Sequence, residues 1–351
     1  MQNLIIQSIG TATPSVSKLL ADAFLMPQEV VLRLLYNTPA PIFTEVEPIV
    51  AKQAYDLLTQ LGLEVSLQST EEPLPPKSEP VDIGLYLPNP LYLMTVTEQV
   101  ANFMGCEQKE ALNLLLSEPS IILGDVSMAT AEALSKRVHA EVIVSNPKND
   151  LYTIKINTEN KTTLTHLKHA LKDISDNVLT AKYVENIDYT LAQIIWRRFH
   201  VDNAVQIINQ SHQRYEIILD AVNPENPNYR KTLIETVGMP DEIIDEVAQN
   251  LPLQLDESLG ITAIDEKMTR YAAAGLTCHI EPIPFGDKYL EITEITDFDG
   301  VNTVLSQFFD TAELPNHTTP TWQSPKPIKP LLARYAAAQL EANNYCSVLL
   351  N

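Results

Sequence analysis

The chain has 351 residues, 45% of them hydrophobic and 7% aromatic, which is long for a single core and apolar enough to offset chain entropy, so several globular units are expected. Lys and Arg number 24 against 45 Asp and Glu, and the formal charge of -21 repels phosphate backbones and anionic lipid, excluding nucleic acid and membrane surfaces as expected partners. Cys106, Cys278 and Cys346 are odd in number and lack CxxC spacing, which excludes a disulfide framework and a thiolate metal site.

In chain order, residues 4 to 68 read as strand "LIIQSI", cap "TATPS", helices "VSKLLADAF" and "EVVLRLLYN", the Pro-marked loop "TPAPIFTEV", helix "PIVAKQAYDLLTQLG" and strand "LEVSL". Residues 84 to 145 repeat this element for element, with "TVTEQVANFMG" and "CEQKEALNLLLSEP" as the helix pair, "SIILGD", then "SMATAEALSKRV" and "HAEVIVS". Pro39 and Pro119 fall at the same place after the second helix, where a missing N–H and a ring clash stop it. Between the two lies "STEEPLPPKSEP" (69 to 80), four Pro and four charged residues in twelve, which predicts an extended, semi-rigid joint crossed by few apolar contacts.

A further copy runs from "YEIILDAV" to "LTCHIEPI" (215 to 284), and another from "YLEITEITD" to "NYCSVLL" (289 to 350) with a degraded middle, "LPNHTTPTWQSPKP". The interval from Glu141 to Cys278 is about twice that from Cys278 to Cys346, which implies one more unit between them. There, "YTLAQIIWRRFHVDNAVQIINQ" (189 to 210) matches the helix pair and "TTLTHLKHALKDISDNVLTAKYV" (162 to 184) the closing helix and strand, in reversed order.

The expectation is therefore an α+β chain of about five β-α-α-β-α-β units. They are unit 1 (1–68), a linker (69–80), unit 2 (81–147), a permuted or divergent unit 3 (148–213), unit 4 (214–285) and unit 5 (286–351). The short links "NPKND" and "EPIPFGDK" are expected to hold units 2 to 5 as one continuous body, with unit 1 swinging from the Pro-rich joint.

The segments "LRLLYNTPAPIFTEV…AKQAYDLLTQLGLEVSL" and "LNLLLSEPSIILGDV…TAEALSKRVHAEVIV" resemble the C-terminal domain of the bacterial ribosomal stalk protein, and the Clp protease adaptor domain is similar in general architecture. The resemblance implies that each unit is a three-stranded antiparallel sheet with helices covering one side. It carries no translation-factor site, because the basic first helix of that family is here "TPSVSKLLADAF", with Lys18 its only cation, or "TVTEQVANFMG", with none.

Candidate chemistry is sparse. No GxGxxG or GxxxxGK[ST] occurs among 10 glycines, which removes the usual phosphate-cradling loops. His166 and His169 in "HLKH" lie on one helix without a visible third ligand. "DFDG" (297 to 300) lacks the later ligands of a calcium loop and reads as a turn and N-cap. "DEIIDE" (241 to 246) reads as a solvated flank of a buried Ile243, Ile244 and Val247 stripe, and each Cys sits in or beside an apolar element as a structural thiol. Trp196, Arg197 and Arg198 in "QIIWRRF" read either as a core tryptophan between surface arginines or as a binding anchor.

Neither a cofactor nor a metal is expected. The opening "MQNLIIQSIGTATPS" has no basic n-region and no segment approaches a membrane span, so a cytoplasmic protein is expected. The leading functional expectation is a non-enzymatic scaffold or adaptor for a protein partner with a basic surface. The alternatives are an acidic decoy imitating nucleic acid and an enzyme whose site forms between units.

Overall fold

The computed structural model describes every residue except 14, 172–182, 202 and 317–320. Unit 1 comprises β1 (Gln2–Ser8), α1 (Ser15–Phe24), α2 (Gln28–Tyr36), β2 (Ala40–Val46), α3 (Pro48–Gln60) and β3 (Glu64–Ser69). Unit 2 repeats it as β4 (Val81–Tyr86), α4 (Leu93–Met104), α5 (Gln108–Leu115), β5 (Ile121–Val126), α6 (Met128–Ser135) and β6 (Glu141–Ser145). Unit 3 contains β7 (Tyr152–Ile156), α7 (Lys161–Ala170), β8 (Tyr183–Ile187), α8 (Tyr189–Phe199) and β9 (Val205–Asn209). Unit 4 contains β10 (Arg214–Val222), α9 (Asn228–Thr232), α10 (Ile244–Gln249), β11 (Leu253–Gly260), α11 (Ile261–Ala273) and β12 (Leu276–Pro282). Unit 5 contains β13 (Leu290–Thr293), α12 (Phe298–Leu305), β14 (Thr321–Gln323), α13 (Pro330–Ala342) and β15 (Ser347–Leu350).

The chain is α+β, with five three-stranded antiparallel sheets. In each, the opening strand is central and the second and third strands flank it: β2-β1-β3, β5-β4-β6, β8-β7-β9, β11-β10-β12 and β14-β13-β15. Unit 3 therefore keeps the common order and is not permuted. "YTIKI" is its opening strand, and "VQIIN", read from sequence as helix, closes the sheet by pairing Tyr152 with Asn209 through Ile156 with Val205. The segment "YTLAQIIWRRF" is one helix, α8, in the closing position, and part of the stretch read as closing helix and strand, residues 172–182, lies outside the described residues.

A local device recurs at the end of the second strand. Glu45, Asp125, Asn186 and Ser258 have φ between 57° and 61°, each beside a slip in the ladder to the central strand. A left-handed residue with a Cβ costs about 1–2 kcal/mol, and here it forms a bulge that turns the strand into the closing helix within two residues. In units 1 and 2 the bulged amide is held from the central strand: Glu45 N–H donates to Asn3 Oδ1 and Asp125 N–H to Asp82 Oδ1, both at 3.0 Å.

A second device closes the helix. Gly62 (φ 89°) follows α3, and Gly275, Asn203 and Asn344, also left-handed, follow α11, α8 and α13. Glycine and asparagine tolerate that conformation after a helix. At Gly62 a side chain is also excluded by contact, since a Cβ there would lie 2.6 Å from Thr11 Oγ1 and 2.9 Å from Ala12 N.

Compact packing divides the chain into Met1–Val144 together with Phe285–Asn351, and Ser145–Pro284. In the first body, units 1 and 2 share one core that runs from Leu4, Ile6 and Leu58 to Ile83, Val100 and Leu134. The expected swinging joint at 69–80 is thus corrected: the linker is exposed along most of its length, but the surfaces it connects are packed together. Unit 5 keeps its own core around Leu290, Ile292, Val301 and Leu340, and leans on the shared one through Leu331, Leu332 and Tyr335 of α13. The continuous body expected for units 2 to 5 is corrected in the same way, for compact packing joins unit 5 to units 1 and 2 and sets Ser145–Pro284 apart. In that second body, units 3 and 4 have separate cores, around Ile154 and Ile195 and around Ile217 and Tyr271.

Two inter-unit seams in the first body follow one rule. The closing helix of one unit covers the turn after the central strand of the next. From unit 2, Ser127 N–H and Thr130 Oγ1 at the start of α6 both donate to the Tyr36 carbonyl at 2.8 Å. Arg137, just past α6, donates to the carbonyls of Ala12 (3.0 Å) and Gly10 and lies over the Phe103 ring. From unit 5, Arg334 on α13 donates to the carbonyls of Leu87 (2.9 Å) and Pro88 (3.3 Å) and lies over the Tyr86 ring at 4.8 Å.

Limited proteolysis within 69–80 should nick the chain without freeing unit 1. The fragments should co-elute on gel filtration and separate only in denaturant. Release of a residue 1–70 fragment under native conditions would contradict the shared core.

Candidate functional site

Asp188 caps α8, its side chain accepting from Leu191 N–H at 2.9 Å, and the helix then buries Ala192, Ile195 and Phe199 at helical spacing against unit 3. That register puts Trp196 off the buried stripe, and it is 50% exposed. Of the two readings of "QIIWRRF", the core tryptophan is therefore wrong: Ile195 and Phe199 fill the core on either side of it in sequence.

The Trp196 indole stacks on the His200 imidazole, with centroids 4.4 Å apart and planes 17° from parallel. His200 N–H donates to the Trp196 carbonyl at 3.0 Å, and His200 Nδ1 lies 2.9 Å from the same oxygen. The stack holds the indole from one side and leaves about half of it exposed. Arg197 and Arg198 are exposed and have no ion-pair partner among the described residues. Their place in the last turn is favoured by the helix dipole, and two adjacent exposed cations stand out in a chain of charge -21.

Other candidates close on themselves. His166 and His169 are exposed on α7, and no group of three His, Cys, Asp or Glu able to hold a metal occurs among the described residues. Asp297 caps α12, accepting from Asp299 and Gly300 N–H at 3.0 Å. In "DEIIDE", Asp241 and Asp245 both bind Arg230 from their solvated flank. Ile243 is a correction, exposed rather than buried, because a single 3-10 turn at Asp241–Ile243 precedes α10 and shifts the stripe onto Ile244. The three cysteines are free; burial pushes the Cys278 and Cys346 thiols up to about 11 and raises Cys106, so near neutral pH they remain protonated.

Two ionic clusters escaped sequence reasoning because they join different elements, one across two strands and the other from a strand to a helix. In unit 4, His279 of β12 lies between Asp220 (2.8 Å) and Glu281 (3.1 Å), and hydrogen bonds to Asp220 and then Glu281 raise its pKa. On the same unit, Asp256 receives Lys267 and the Tyr271 hydroxyl, tying β11 to α11, and burial followed by the Asp256 bond raises the tyrosine pKa. Each carboxylate there is occupied by a neighbour, as in a structural tie.

Comparison of this chain with protein-family models, with curated proteins and with solved structures gives no match. The likeness to the ribosomal stalk domain stays a resemblance, carried by the residues quoted for it.

With Trp322→Phe leaving Trp196 as the sole tryptophan, iodide should quench its fluorescence more efficiently than caesium at low ionic strength, because Arg197 and Arg198 set the local potential against the acidic whole. Stronger quenching by caesium would show that the overall charge governs this surface.

Proposed function

We propose that the chain is a non-enzymatic scaffold or adaptor that recognises a protein partner through the α8 surface of unit 3. One observation carries the reading: a half-exposed tryptophan, held by its stack on His200 and followed directly by two exposed arginines that have no ion-pair partner among the described residues. Trp and Arg are the side chains most enriched at binding hot spots, and a stacked indole loses little rotamer freedom on being covered. The remaining acidic surface steers a basic partner toward the chain at long range, while the five non-identical units offer further points of contact.

The acidic-decoy reading makes the opposite use of charge, since a nucleic-acid mimic would bind through carboxylates and α8 would be irrelevant. Capture from a native lysate with wild-type and variant baits separates the two. A partner recognised through α8 should survive about 0.5 M salt and be captured about tenfold less by Trp196→Ala, with a similar loss for Arg197→Glu/Arg198→Glu. Capture that is lost in salt and indifferent to all three substitutions would overturn the proposal in favour of charge mimicry.

A further inference from the structure

Units 1, 2 and 5 are joined in one direction only. The closing helix of unit 5 covers unit 2, and the closing helix of unit 2 covers unit 1. Such head-to-tail contacts use two different faces, so a row of them always ends with one face of each kind unused. The unused helix face belongs to α3 and the unused turn to unit 5.

The α3 helix aligns with α13 at two of the three positions that α13 buries; the third, Ala336, corresponds to the half-buried Ala54. Both are 13 residues long with Pro at the first position. Ala51 and Leu58 are buried as Ala333 and Leu340 are. On this alignment Ile49 and Val50 take the places of Leu331 and Leu332, which pack on the shared core, and Lys52 takes the place of Arg334. In unit 1 those two apolar residues meet solvent, Ile49 73% and Val50 49% exposed, with Leu57 also exposed along the same face.

The opposing face can be located the same way. Aligning buried Ile83 and Leu85 of β4 with buried Leu290 and Ile292 of β13 puts Glu294 and Ile295 where Leu87 and Pro88 receive Arg334. That turn is acidic: Glu294, Asp297 and Asp299 are exposed, and Ile295 and Phe298 are half-buried beneath them. Lys52, paired with Asp56 at 2.6 Å on its own exposed face, and Glu294, which accepts from Ser347 Oγ at 2.9 Å, would each give up an exposed contact to meet across the seam, where the internal one uses backbone carbonyls.

We propose that a second copy of this chain docks α3 of its unit 1 onto the Glu294–Asp299 turn of unit 5, continuing between molecules the seam that joins units 5, 2 and 1 within one. Ile49 and Val50 supply the apolar contact and Lys52 meets Glu294. The two faces differ, so the contact propagates head to tail and does not close as a two-fold dimer. This inference is independent of the α8 surface.

Size-exclusion chromatography with light scattering on the full chain, over a wide concentration range, tests it. The wild type should grow in mass with concentration. Ile49→Asp/Val50→Asp should remain a monomer, and Lys52→Glu and Glu294→Lys should each weaken association about tenfold with unchanged circular dichroism. The double variant Lys52→Glu/Glu294→Lys should recover most of the wild-type association, because the reversed charges meet again across copies. A wild type that is monomeric throughout, association that ignores the Ile49 and Val50 changes, or a double variant weaker than either single one would each overturn the proposal.

Discussion

The first body depends on how it satisfies the carbonyl groups that each sheet leaves at the turn after its central strand. A buried carbonyl without a donor costs about 1–3 kcal/mol, and a turn that must pack against a neighbour cannot rely on water. Arg137 and Arg334 meet this need with forked guanidinium groups, each reaching two carbonyls of the adjacent unit while lying over an aromatic ring, Phe103 or Tyr86. Arginine suits the position better than lysine because its donors are fixed in a plane and it is weakly hydrated. Burial lowers the pKa of Arg137, the sign of a cation partly withdrawn from water.

Around those polar ties the apolar term supplies the larger stabilisation. A fully buried Leu, Val or Ile side chain contributes about 1.5–3 kcal/mol, and the core shared by units 1 and 2 contains many of them, from Leu4 to Leu134. Small domains bury a low fraction of their surface, so a unit of this size gains more by merging its core with a neighbour than by perfecting its own. Unit 5 takes an intermediate course. It keeps a core of its own and adds Leu331, Leu332 and Tyr335 to the shared one, with Glu118 of unit 2 accepting from Gly286 N–H at 2.8 Å at the same seam and its pKa raised chiefly by burial.

Much of this was legible in the sequence, for identifiable reasons. Each unit must present helical stripes and an alternating strand, and that pattern repeats with Pro39 and Pro119 in register, so the α+β array could be read directly. Unit 3 was misread because "VQIIN" is short and its apolar residues fit either period, while "YTIKI" lay unclaimed beside it. The joint at 69–80 was misjudged for a different reason: Pro and charge describe the linker's own conformation and say nothing of the faces on either side. Trp196 was decidable in principle, since Ala192, Ile195 and Phe199 already complete the buried stripe of α8 and leave the indole outside it. The Asp220–His279–Glu281 row needed the strand register, which no local pattern encodes.

The central claim is that units 1 and 2, each with a complete sheet, are one cooperative structure. Native-state hydrogen exchange in rising denaturant measures this most directly, because it assigns an opening free energy to each strand. The shared core predicts that the slowest amides of β1 and β4 merge into a single opening isotherm well below the global midpoint. Opening of β1 at a distinctly lower free energy, with β4 still protected, would contradict it.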